Sequence, residues 1–133
     1  MDAYRIAIAR TCLNAAHDGS RSFPAIVGML IEAGFEGYMV DYRRSSQTYY
    51  LRDGDSVMLD LPQAAHPVAP AFDAAIVAAL VRWAQSGDAD YSYSAFSEQA
   101  TGAGCAGYLV SFPGRRVVYF GRTGETHVEH MPG

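Results

Sequence analysis

Shifted by 70 residues, the chain falls on itself. AGFEGYMVDY (33–42) overlays AGCAGYLVSF (103–112), and YYLRDGDS (49–56) overlays YFGRTGET (119–126), with no gap. Over the 30 aligned positions from 33 to 62, nine residues are identical: Ala33, Gly34, Gly37, Tyr38, Val40, Tyr49, Arg52, Gly54 and Pro62. Chance gives about two at ordinary residue frequencies. A duplication of this kind limits the fold more than any composition does, because whatever one copy forms the other must form too.

The order of elements within a copy follows from periodicity. Ile6, Ala9 and Leu13 fall on Ile76, Ala79 and Trp83, at the three-and-four spacing of a helical face. Phe72, Ile76, Leu80 and Trp83 make the clearer stripe. Ser22 and Ser92 match, each placed to cap a second helix, and those helices should end at Gly34 and Gly104. The period then changes to two. GYMVDY and GYLVSF, TYYLR and VVYFGR, SVMLDLP and THVEHMP read as three strands per copy, parted by RRSSQ or PGRR and by DGD or TGE. The expected fold is α+β: two helix-helix-three-strand halves, about 1–63 and 71–133, joined by a linker at 63–71. A pseudo-twofold axis relates them, and the sheet is mainly antiparallel. A half of ~65 residues is marginal alone, so both should fold as one domain.

Composition narrows the function classes. Net charge is −4, with ten arginines and no lysine, which argues against nucleic acid as the default partner. No apolar run approaches the ~20 residues of a membrane span. MDAYRIAIARTCLNAAHDGS carries charges where a secretion signal would be apolar, and Cys12 and Cys105 have no paired spacing. A soluble cytoplasmic domain is expected, with no cofactor.

The candidate site comes from the positions where the copies disagree, on the last strand of the second half, where the duplicated surfaces are expected to meet. Val57 and Leu59, on the expected inner face of the third strand, are replaced by His127 and Glu129; Asp60 is replaced by His130, expected to point outward. Buried polar groups cost roughly 1–3 kcal/mol each when unpaired, so the exchange needs a reason. An imidazole beside a carboxylate suits proton transfer near neutral pH, or the holding of a polar ligand. A wetter face on the second meander is the plainer alternative. A metal is not expected, because His127 and His130 are three apart on a strand and face opposite ways.

Arg52 and Arg122 each precede a turn glycine and an acid, and read either as turn partners of Asp55 and Glu125 or as an anion clamp. Tyr49 and Tyr119, or their neighbours Tyr50 and Phe120, could line a pocket, depending on the pleat. Cys105 stands where the first copy has Phe35, as a small core residue or as a nucleophile for His127. The arginine pairs of RRSS and GRR mark both first hairpin turns, as solvated charge or as a phosphate-contacting rim.

GCAGYLVSFPGRRVVYFGRTGETHVEHMPG and DYRRSSQTYY resemble a small, uncharacterised bacterial family often labelled "phage envelope protein". The likeness covers most of the chain, with Met131 where the family has an aromatic residue. It implies a phage association at most, and neither a substrate nor a catalytic residue. Two functions therefore stand as expectations. One is a small-molecule-binding domain, possibly an enzyme, in which His127 exchanges protons, Glu129 orients it, and Arg122, Arg52, Tyr49, Tyr119 and Cys105 contact a small polar or anionic ligand. The other is a non-catalytic interaction module, phage-associated or regulatory. A homodimer is compatible with either.

Overall fold

Met39 pairs with Leu109 across the middle of a six-stranded antiparallel sheet, and those two residues are equivalent in the repeat. On either side Tyr38 pairs with Val110 and Val40 with Tyr108, again exchanging equivalents. The pseudo-twofold axis therefore passes between Met39 and Leu109. The computed structural model describes residues 1–61 and 67–131. Pro62, Pro132 and residues 63–66 of the expected linker lie outside that range.

The chain order is α1 (Ala3–Asp18), α2 (Phe23–Glu32), β1 (Phe35–Asp41), β2 (Ser46–Leu51) and β3 (Ser56–Asp60), then α3 (Ala74–Gln85), α4 (Tyr93–Gly102), β4 (Cys105–Ser111), β5 (Arg116–Gly121) and β6 (Thr126–His130). The strands lie in the order β3-β2-β1-β4-β5-β6. Each half is thus helix, helix, three-stranded meander, as the repeat predicts.

The halves agree down to their turns. Ser22 and Ser92 cap α2 and α4 by accepting from Ala25 N at 3.2 Å and Ala95 N at 3.0 Å. Gly34 (φ 96) and Gly104 (φ 87) follow the helices in the left-handed region, which glycine enters at least cost. Ser45 and Arg115 hold positive φ in the first hairpin turns, and Gly54 and Gly124 in the second. Leu51 N reaches Asp55 O at 2.8 Å, and Gly121 N reaches Glu125 O at 2.8 Å.

Gly37 and Gly107 explain two of the identities. A Cβ on Gly37 would come within 2.2 Å of the Val110 carbonyl oxygen, and one on Gly107 within 2.2 Å of the Val40 carbonyl oxygen. Both glycines let the central strands of the two halves meet. The halves share one sheet and one apolar core, which runs from Leu13, Ile26 and Leu30 to Val77, Leu80, Val81 and Phe96. Ordering this core against the sheet is what covers the inner face of each marginal half.

One helical stripe differs from expectation. α3 buries Val77, Leu80 and Val81, whereas Ile76 is 48% exposed. Phe72, Leu80 and Trp83 of the predicted stripe pack against the core, but Ile76 does not, because Val77 and Val81 take the buried face beside Leu80. No helix among the described residues is long and apolar enough to cross a membrane.

Candidate functional site

β6 alternates strictly. His127 and Glu129 turn to the helix-covered face, while Thr126, Val128 and His130 face out. This follows from register: His127 lies opposite Tyr119 and Glu129 opposite Val117, both buried inner-face residues of β5. β3 has the same pleat, with Leu59 buried and Val57 half-buried. The ionisable pair thus occupies the place of two aliphatic side chains.

The two groups bond to each other. His127 Nε2 and Glu129 Oε2 are 2.5 Å apart, with side-chain exposures of 21% and 27%. With the carboxylate accepting from Nε2–H, the neutral ring presents the Nδ1 lone pair outward from the pair. A carboxylate that fixes the tautomer and aim of an imidazole is the arrangement general bases use. The imidazole also joins a run of rings along the inner face. Tyr119 lies 6.3 Å from His127, Tyr108 lies 5.2 Å from Tyr119, Tyr38 lies 6.5 Å from Tyr108, and Tyr49 lies 5.3 Å from Tyr38. Burial above all, with Glu129 among smaller contributions, pushes the Tyr119 phenol upward.

Tyr119 is the only one of the expected ligand contacts whose ring meets this pair in the described residues. Tyr49 lies in β2 and Arg52 just past it, at the far side of the sheet from β6, four strand spacings or about 19 Å away. Tyr49 is itself buried and accepts from Gln47 Nε2 at 2.8 Å. Arg52 instead lines a cleft of about 350 Å³ with Met1, Asp2, Arg5 and Asp55. Arg122 is exposed in the β5–β6 turn and donates to the Val68 carbonyl at 3.3 Å. Neither arginine pairs with its turn acid: Asp55 binds the N-terminal ammonium at 2.6 Å, and Glu125 accepts from the Thr123 hydroxyl.

Cys105 is fully buried in β4, two strands from His127. Its thiol donates to the Gly107 carbonyl at 3.3 Å, and burial pushes its pKa to about 11. This is a core position, opposed to thiolate chemistry by its apolar surroundings. The site is also not where the duplicated halves meet. That junction is β1 against β4, whereas β6 is an edge strand. The arginine turns likewise separate. β1 runs antiparallel to β4, so Arg43–Arg44 and Arg115–Arg116 stand at opposite ends of the sheet and form no common rim. His130 points away from His127, and no group of three or more His, Cys, Asp or Glu among the described residues is placed to hold a metal.

Two polar groupings escaped the sequence reading. Gln47 lies opposite Leu59, and its equivalent Val117 lies opposite Glu129. Each half therefore keeps one polar inner residue at this level, on the middle strand in the first and on the edge strand in the second. The signal was present at the 70-residue offset, in the exchange of Gln47 for Val117. The second grouping gathers hydroxyls under α4: Tyr93 and Tyr108 at 2.5 Å, and Tyr42 and Ser97 at 3.2 Å. Tyr93 replaces the exposed Phe23 of the first copy, which was its only sequence mark.

No protein-family model matches the chain, and no curated protein matches it.

Proposed function

We propose that this protein binds a small polar or anionic molecule at the His127–Glu129 pair, with Tyr119 beneath it. One observation carries the reading. At the positions of Val57 and Leu59, the second half holds a bonded imidazole and carboxylate, each still about a quarter exposed. Both side chains keep some exposure on an edge strand, which lets a ligand reach the pair, and Glu129 holds the ring for proton exchange. Neutral His127 would accept a proton or hydrogen bond from the ligand; charged, it would meet an anion. Whether a bond is made or broken is a property of the ligand, so the domain is read here as a binder equipped for acid–base chemistry. The acidic balance and two unpaired buried cysteines fit work in the cytoplasm. The phage-labelled family remains a proposed kinship on sequence resemblance.

The test is a screen of small polar and anionic compounds by NMR, following the His127 ring resonances. Binders should shift those resonances, and His127→Ala should abolish the shifts elsewhere in β5 and β6 while the amide spectrum keeps its dispersion. Binders that are indifferent to His127→Ala, or a native protein that takes none of the compounds, would refute the reading.

A further inference from the structure

We infer that the outer face of the sheet binds a second copy of this chain, stacking two sheets about a twofold axis. The inner face is covered by the helices, but among the described residues no element packs on the outer one. Register places one straight row across all six strands: Met58, Thr48, Met39, Leu109, Val118 and Val128. Five of the six are apolar. Met58 is 54% exposed, and Leu109 and Val128 are each 37% exposed. Tyr50 and Phe120, equivalent in the repeat, flank the row on opposite sides. Six strands at ~4.8 Å and five residues at ~3.4 Å give a face of roughly 25 by 17 Å. That is about 425 Å² in plan, at the low end of protein interfaces.

Charge selects this chain as the occupant. On the face itself, the row beside the apolar one carries Asp60 and Asp41 in the first half, on β3 and β1. The row on the other side carries Arg116 and His130 in the second half, on β5 and β6. His130 is the repeat equivalent of Asp60, so acid and base occupy diagonally opposite corners of one surface. Arg43 and Arg44 lie beyond the end of β1, outside these rows. A twofold axis lying in the contact plane, across that diagonal, sets the acidic corner of each copy on the basic corner of the other. The same patch then serves both partners, as an isologous dimer requires. This surface is opposite the His127–Glu129 face and stands independently of the ligand reading.

Sedimentation velocity on the full chain tests it. The native protein should sediment at twice the chain mass at micromolar concentration. Leu109→Arg, at the centre of the face, should sediment as a monomer with an unchanged circular dichroism spectrum; Met58→Glu supplies a second, more exposed variant. Asp60→Arg should raise the dimer Kd about tenfold, and adding Arg116→Asp should recover most of the loss. A native protein still monomeric at about 100 µM would overturn the inference. So would a dimer that survives Leu109→Arg, which would point to pairing through the free edges of β3 or β6. A dimer indifferent to both charge variants would overturn the stacking assigned here.

Discussion

His127 and Glu129 replace side chains that the first half uses to fill its interior, and the exchange has a thermodynamic consequence. A half-buried imidazole and carboxylate must offset their own desolvation, whereas the aliphatic pair they replaced gains from burial. Restoring the sister residues, His127→Val with Glu129→Leu, should therefore stabilise the fold by about 1–2 kcal/mol and remove ligand binding together. Urea denaturation of the double variant measures the first effect, and the compound screen the second. A loss of stability would mean that the pair is a structural substitute for Gln47, whose amide serves Tyr49 in the first half. The sequence displayed this pair because one copy acts as the control for the other. It did not display that Tyr49 and Arg52 would lie on the far side of the sheet from it, since similarity at an offset of 70 says nothing about the distance between equivalent positions. Cys105 was equally open, and only its burial and bond to Gly107 place it in the core.

Among elements, the join between β1 and β4 depends most on single residues. Gly37 and Gly107 each face a carbonyl of the opposite half at a distance no real Cβ tolerates. Gly37→Ala must push β1 away from β4, breaking ladder bonds on both sides of the pseudo-twofold axis. Its cost should exceed the 0.5–3 kcal/mol of an ordinary substitution, so the variant should be largely unfolded at room temperature by circular dichroism. Gly28→Ala, in α2 with open space around its Cβ, is the control and should not destabilise. The strands and helix ends were legible because glycine, serine and the change of period punctuate each half identically. The burial face of α3 was not legible. Ile76 and Val77 are both apolar, and helical spacing alone admits a stripe through either; the seat of α3 on the sheet chose Val77.

At the scale of the molecule, the interior between sheet and helices is unusually phenolic. Tyr38, Tyr42, Tyr49, Tyr108 and Tyr119 are all buried, and burial drives each phenol well above its ordinary range. The sign is fixed by linkage. Folded-state values are raised above the unfolded ones, so the folded chain holds more protons at high pH. The stabilisation is complete below the unfolded value of about 10 and is lost as pH rises beyond it. Each such tyrosine steepens the loss by about 1.4 kcal/mol per pH unit. Melting temperature should hold up to about pH 10 and then fall sharply, with phenolate absorbance of these five appearing only as the fold is lost. Phenolate absorbance from all nine tyrosines before any change in circular dichroism would contradict this.

The sequence by itself determined that there are two copies, what each is made of, where each turn falls, and which inner positions changed from aliphatic to ionisable. Those are local properties: backbone preference, side-chain period and the comparison of one residue with its equivalent. Tertiary structure alone decided that the halves join edge to edge through β1 and β4. That join sends the His127–Glu129 pair to an outer strand, parts the two arginine turns, and leaves one sheet face without a covering element among the described residues. The reason is geometric. A glycine pair permits two strands to approach, but the axis about which they do so exists only once both copies are folded.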